Sequence, residues 1–352
     1  MAQYADYIFV ACLAAVLGAV LAWGFKTLPD ASWQFVASAP KKRSADGKSW
    51  EAVNFTYYGL IIACSSAFSV TLAVFLLGAA SVPVWSSLAV TLALMVVCIP
   101  SSKILARIVE KKKHTFTVGG ALFIGVLTMP WIVWGLKLAA GEGSGIQVLP
   151  VCAAMAIAYG FGEGLGRLAC ISFGCCYGKP FSQVHPVLQK LLNGKGFVFT
   201  GETKKISYAS GLDGQKVFPI QALTAVIYCA SALLSTLLFL SGHFGLSLLQ
   251  VLMVTQIWRF FSEMLRDDYR GEGKISVYQV MMIIAILYTA LLPLVFPMGE
   301  ALKPALALGW KAVWSPIVIL SVQGLWAALF VYYGKSTVTG GAISFHVVKD
   351  HI

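Results

Sequence analysis

The residues best equipped for chemistry lie in one stretch, Gly166-Arg167-Leu168-Ala169-Cys170-Ile171-Ser172-Phe173-Gly174-Cys175-Cys176-Tyr177-Gly178. It begins inside an apolar run, residues 149–168, so Arg167 stands near the end of a hydrophobic helix. An arginine there is costly without a partner and is a functional candidate by default. Glu163, four residues earlier on the same helix face, can pair with it. Cys170, Cys175 and Cys176 follow within seven residues. A thiol becomes a nucleophile once it is deprotonated, which nearby positive charge favours. Gly166, Gly174 and Gly178 permit a tight exit from the helix with the backbone close to a ligand. A structural role fits the same residues: small side chains packing helices together, with Arg167 and Glu163 as an internal ion pair.

A second charged face occurs at Arg259-Phe260-Phe261-Ser262-Glu263-Met264-Leu265-Arg266. Arg259, Glu263 and Arg266 are four and three residues apart, so they share one side of a helix. One internal salt bridge accounts for one arginine and leaves the second available. A guanidinium is the side chain of choice for a phosphate, so anion binding is expected here. Tyr57-Tyr58-Gly59-Leu60 puts two tyrosines at the start of another apolar run, where an aromatic belt is the ordinary explanation. Gly119-Gly120 opens a further run and suggests close backbone approach to a helix or a ligand. His114, after Lys111-Lys112-Lys113, is a candidate proton carrier or a solvated loop residue.

These residues must be positioned by membrane helices. The chain of 352 residues is 58% hydrophobic and 12% charged, well above the roughly 45–50% apolar usage of soluble domains. About 20 apolar residues span a bilayer, and nine runs qualify: 7–25, 56–79, 82–102, 117–136, 149–172, 218–241, 244–265, 276–297 and 311–334. The expected fold is an all-α polytopic membrane protein. The first run lacks a basic leader and reads as a retained helix. Residues 26–55 read as a polar linker or surface arm, and 173–217 as a small polar head. Within the head, 186–192 suits a short helix, while 196–200 and 206–209 suit short strands. The net charge of +11 fits anionic headgroups; no soluble basic domain exists to hold nucleic acid. Five of the eight cysteines sit in apolar runs as small hydrophobes. The other three lack C-x-x-C spacing and a second pair, so neither a metal nor a cofactor is expected.

Taken in order, these stretches resemble the prolipoprotein diacylglyceryl transferase family of bacterial membrane enzymes. Its signature, Gly-Arg-x-(Gly/Ala)-Asn-Phe-x-Asn-x-Glu-x-x-Gly, is matched by Gly166, Arg167, Ala169 and Gly178. Tyr57-Tyr58-Gly59-Leu60 is similar to the family's Trp-Tyr-Gly-Leu, and Phe218-Pro219-Ile220-Gln221 to its His-Pro-x-Gln. Arg259-Phe260 through Glu263 to Arg266 resembles Arg-Phe-x-x-Glu-x-x-Arg, and Ser276-Val277-Tyr278-Gln279 resembles Ser-Met-Gly-Gln. The likeness covers residues 54–297 and leaves 1–53 and 298–352 as additions. The chain also departs from the pattern. Cys170 and Cys175 stand at the signature's first Asn and its Glu. Val118 replaces the family's essential His before Gly119-Gly120, Phe218 replaces another, and Leu223-Thr224 replaces a Tyr-Glu.

The resemblance implies transfer of the diacylglyceryl group of phosphatidylglycerol to a prolipoprotein cysteine thiol, with release of glycerol phosphate. It implies that Arg167, Arg259 and Arg266, with Glu263 and Tyr58, form the catalytic set. Gly166, Cys170, Cys175, Cys176, Gly178, Gln221, Gly119, Gly120 and His114 would line the substrate site. His114, Tyr58 or one of the three clustered cysteines is left as the base, and Cys175 or Cys176 is a conceivable covalent way-station. The replacements suggest a divergent branch, with a different acceptor, or a non-catalytic phospholipid-binding or transport protein; redox or metal chemistry at the cysteines is the weakest reading. Between the spans, 21 of the 26 lysines and arginines fall on one side. The positive-inside rule makes that side cytoplasmic, whereas the resemblance implies a site facing outward from the bacterial cytoplasmic membrane; the outward reading is taken forward.

Overall fold

A computed structural model describes residues 2–45, 47–110, 118–141, 145–267, 276–297 and 303–352. Among them, nine helices are long and apolar enough to cross a membrane. These are α1 (Ala2–Thr27), α2 (Tyr57–Ala79), α3 (Val84–Glu110), α4 (Val118–Ala140), α5 (Val148–Phe173), α8 (Ile220–Leu240), α9 (Phe244–Met264), α10 (Val277–Val295) and α12 (Pro316–Gly334). The short elements are β1 (Phe35–Arg43), β2 (Trp50–Thr56), α6 (Pro186–Leu191), β3 (Phe197–Val198), α7 (Lys205–Ser210), β4 (Lys216–Val217), α11 (Leu306–Val313) and β5 (Lys335–Ile343). All nine expected runs are helical, and the protein is an all-α polytopic membrane protein. The run 311–334 is broken at Pro316, whose fixed φ suits the first turn of a helix and not an interior; α11 and α12 lie on either side. Helix α3 passes through Pro100 and continues to Glu110, beyond the end of the apolar run at residue 102.

Helix α5 is the axis of the molecule and packs against α2, α8 and α9. Its small residues make this possible. A methyl group at Gly162 would lie 2.6 Å from Ser69 Oγ, and one at Gly164 2.8 Å from Cys229 Sγ. Without a hydrophobic force between helices in lipid, such close backbone approach is the main source of van der Waals contact. The buried apolar residues of α2, α5, α8 and α9 form one core.

Two regions outside the membrane differ from expectation. Residues 26–55 include a β-hairpin where a linker or arm was expected. Strands β1 and β2 pair antiparallel, and β2 pairs antiparallel with β5, giving the order β1-β2-β5. Asn54 joins all three: its Oδ1 accepts from Ser38 Oγ at 2.6 Å, and its Nδ2 donates to Thr339 Oγ1 at 3.3 Å. The alternation that marks a strand is masked in β1 by exposed Lys41, Lys42 and Arg43. In the head, α6 and β3 fall where a helix and a strand were expected, but 206–209 belong to α7. Ile206 is fully buried while its neighbours are not. One buried residue per turn is satisfied by a six-residue helix as well as by a strand. β3 pairs instead with β4.

Candidate functional site

Helix ends on one side of the protein converge on the site. The C-terminal turns of α5 and α9 bring the arginines, and the N-terminal turns of α2, α4 and α8 bring Tyr58, Gly119 and Gln221. Helix α5 ends because Gly174 takes the left-handed conformation (φ 71°), which lacks a Cβ penalty only for glycine. The amide of Cys175 then bonds back to Cys170 O at 3.0 Å, and Cys176 also has a positive φ of 56°. The chain therefore folds back over the helix end and brings the three thiols together. Beyond the turn, Lys179 N donates to Leu265 O at 3.1 Å and Asp267 N to Tyr177 O at 3.2 Å. These bonds tie the signature segment to the end of α9 and set Arg266 beside it.

Arg167, Arg259 and Arg266 are 8%, 5% and 9% exposed. The expected Arg167–Glu163 pair is present through Nη2 and Oε1. Glu163 also faces Arg259, with Oε1 3.6 Å from Nη1, so one carboxylate links two helices. Arg266 and Glu263 approach to 3.9 Å. Among the described residues, three guanidinium groups share two carboxylates in this buried site. Among the described residues, nothing hydrogen-bonds to Arg167 Nε, Arg259 Nε or Arg259 Nη1 although they are buried. A buried donor without a partner is expensive, about 1–3 kcal/mol for a neutral group and more for a charged one. Guanidinium donors of this kind are chemically suited to a phosphate or another anion.

Three cavities touch Arg259; a small one beside Gly119, Gln256 and Tyr278 lies apart from the two that hold the rest of the cluster. A pocket of about 10 Å³, the size of one water, is lined by all three arginines with Cys176, Gln221, Thr224, Tyr228 and Ser262. The second, about 520 Å³, lies among α2, α3, α4 and α5. Its walls are mostly apolar, Ile62, Val70, Leu94, Leu122 and Met129 among them. One end carries Tyr58, Glu163, Arg167, the three cysteines and Arg259. That volume is within the roughly 300–1,000 Å³ of ligand sites, and its shape suits an amphiphile with an anionic head.

Most residues singled out in the sequence meet here. Tyr58, Gly166, Arg167, Cys170, Cys175, Cys176 and Arg259 line the large cavity. Gln221 lines the small pocket and donates from Nε2 to Cys175 O at 3.0 Å. Gly119 explains its own residue type, because a Cβ would lie 2.9 Å from Arg259 Nη2. Gly178 permits contact with Phe218, whose carbonyl would stand 2.4 Å from a Cβ. Gly120 is buried in the same turn as Gly119 and lines neither cavity. His114 lies outside the described residues. Sequence reasoning gave Glu163 one partner where it has two, and it missed Tyr228 and Ser262. The available signal was a lone carboxylate in an apolar helix opposite two arginines. Phe218 is fully buried among Val184 and Ile220. The adjoining thiols of Cys170 and Cys176, together with burial, push the Cys175 thiol well above its ordinary range.

The family model for prolipoprotein diacylglyceryl transferase matches residues 49–295. The chain belongs to that family. It is therefore a multi-pass membrane protein of a transferase family that serves lipoprotein biosynthesis. The match includes every residue of the two cavities and begins at β2. Neither a curated protein nor a solved structure matches the chain. The diacylglyceryl transferase relationship thus rests on the family pattern together with the site described above.

Proposed function

We propose that the chain moves the diacylglyceryl group of phosphatidylglycerol to the cysteine thiol of a prolipoprotein and releases glycerol phosphate. The observation that carries this reading is the set of unused, buried arginine donors at the polar end of an apolar cavity. Acyl chains occupy the apolar part among α2, α3 and α4. The phosphodiester lies against Arg167, Arg259 and Arg266, where its single negative charge meets the buried guanidinium donors that make no hydrogen bond, Arg167 Nε, Arg259 Nε and Arg259 Nη1. As the C–O bond to the glyceryl carbon breaks, negative charge grows on the phosphate oxygen, and preorganised donors stabilise it there. Glu163 and Glu263 hold the guanidinium groups in place. Tyr58 and the Oε1 of Gln221, a buried acceptor without a hydrogen bond, orient the headgroup hydroxyls.

The acceptor thiolate attacks the glyceryl carbon directly. A thioether on Cys175 or Cys176 would be a poor leaving group, so a covalent way-station is not part of the route. The site faces outward from the bacterial cytoplasmic membrane. The positive charge on the same side does not weigh heavily against this, because much of it lies in the β1–β2 hairpin and the head.

The test uses purified protein in liposomes with labelled phosphatidylglycerol and a lipobox peptide, comparing wild type with Arg167→Ala and Arg259→Ala. Lipidated peptide and glycerol phosphate from wild type, lost in both variants, are expected. A second reading, lipid binding without turnover or with another acceptor, is favoured by Cys170, Cys175 and Phe218 at positions where the family carries polar or acidic groups. Bound lipid with no lipidated peptide would select it.

A further inference from the structure

Cys170, Cys175 and Cys176 have Sγ atoms that all lie within 4.8 Å of one another. Nothing in their linear spacing shows this; the left-handed turn at Gly174 and the positive φ of Cys176 create it. Three sulfurs around a tetrahedral ion with metal–sulfur bonds near 2.3 Å sit roughly 3.8 Å apart. The observed cluster therefore needs only a small contraction to close on such an ion. The backbone that carries it is held from outside: Gln221 Nε2 donates to Cys175 O, and the following segment, Tyr177 to Lys179, is bonded to the end of α9. No disulfide competes for these sulfurs among the described residues.

We propose that the three cysteines bind one thiophilic divalent ion, zinc by its preference for sulfur and for tetrahedral geometry. Three protein ligands among the described residues leave a fourth position, which is the mark of a catalytic rather than a structural site. That position faces substrate. All three cysteines line the large cavity, and Cys176 also lines the arginine pocket. Resting on the transferase reading above, the ligand for this position is the acceptor thiol itself. A thiol bound to such an ion is deprotonated outright, its proton passing to solvent. The bound sulfur then attacks the glyceryl carbon, a C–S bond forms, the C–O bond breaks, and the electron pair leaves on the phosphate oxygen. No redox change is involved.

The experiment is cobalt and zinc loading of the full-length protein in detergent, reduced with a phosphine and stripped by chelator beforehand. One Co²⁺ per chain with thiolate-to-cobalt charge-transfer absorption is expected. It should be lost in Cys170→Ser, Cys175→Ser and Cys176→Ser, and kept in Cys229→Ser, which is buried elsewhere on α8. Adding a lipobox peptide should shift the cobalt bands, whereas its Cys→Ser analogue should not. Wild type that takes up no stoichiometric metal overturns the site, whatever the variants do. Metal uptake with no spectral response to the peptide overturns the acceptor role. Peptide lipidation by chelated, metal-free protein at full rate also overturns that role while leaving the transferase reading intact. Absence of lipidation by the fully loaded protein would instead count against the transferase reading alone.

Discussion

Lys204 and Arg259 are both buried cations on the same side of the molecule, and the fold treats them differently. Lys204 is completely buried in the head, and its Nζ donates to Ser172 O at 2.6 Å and Leu28 O at 3.0 Å. Those carbonyls close the C-terminal turn of α5 and the chain just after α1, so the ammonium acts as a cap at a helix end where cations are favoured. Arg259 faces one carboxylate at 3.6 Å and keeps Nε and Nη1 without hydrogen bonds. A structural cation has its donors occupied by the protein. A cation kept for a ligand does not. The difference separates scaffold from site without reference to any relative.

The comparison breaks most visibly if Arg259 proves structural. Arg259→Ala and Arg167→Ala are expected to lower turnover about 10²–10³-fold, the usual effect of removing one donor to developing charge. Both should still be extracted and elute as wild type does. Arg259→Lys sharpens the point, because an ammonium keeps the charge and loses the planar fork. Its turnover should fall roughly 10–100-fold, with lipid still bound. Wild-type turnover in Arg259→Lys would mean that charge alone is used.

A smaller effect comes from the backbone that faces the guanidinium. Gly119→Ala places a methyl group 2.9 Å from Arg259 Nη2. The arginine must shift by a few tenths of an ångström, and small misplacements at a reacting centre can cost up to about a hundred-fold. A fall of roughly ten-fold in turnover is expected in a normally folded protein. The control is Gly135→Ala on the same helix, where a Cβ meets nothing within 4 Å. Equal activity in the two variants would show that Arg259 is free to move.

What could be read from the sequence follows the physics of each region. The membrane helices were legible because lipid demands long apolar runs, and the two arginine faces stood out as costly exceptions within them. Spacing along α9 was enough to align Arg259, Glu263 and Arg266. Meeting partners on different helices was not legible: Glu163 reaches Arg259 only because α5 and α9 pack closely. The thiol cluster depends on two positive φ angles, which an apolar pattern does not report. The sheet was hidden because β5 lies some 280 residues from β2, and a strand without its partner reads as a polar arm.

The smallest effect on turnover belongs to the other cation. Lys204→Met should leave activity within about twofold, since Lys204 touches neither cavity, and should alter the pH dependence of stability instead. Burial lowers the Lys204 pKa from 10.5 to about 8. Below pH 8 the lysine is protonated in both folded and unfolded chains, and the full penalty of burying its charge is present. Between pH 8 and 10.5 the unfolded chain still holds the proton that the folded chain has released. The folded state is then favoured progressively, by about 1.4 kcal/mol for each unit of displacement. Above 10.5 both forms are neutral and the contribution is constant. Wild type should therefore gain stability relative to Lys204→Met as pH rises from 7.5 to 9.5, measured as the difference in thermal midpoint in detergent. A difference that stays constant over that interval would show that the head opens enough to hydrate the ammonium, and Lys204 would then belong with exposed cations rather than opposite Arg259.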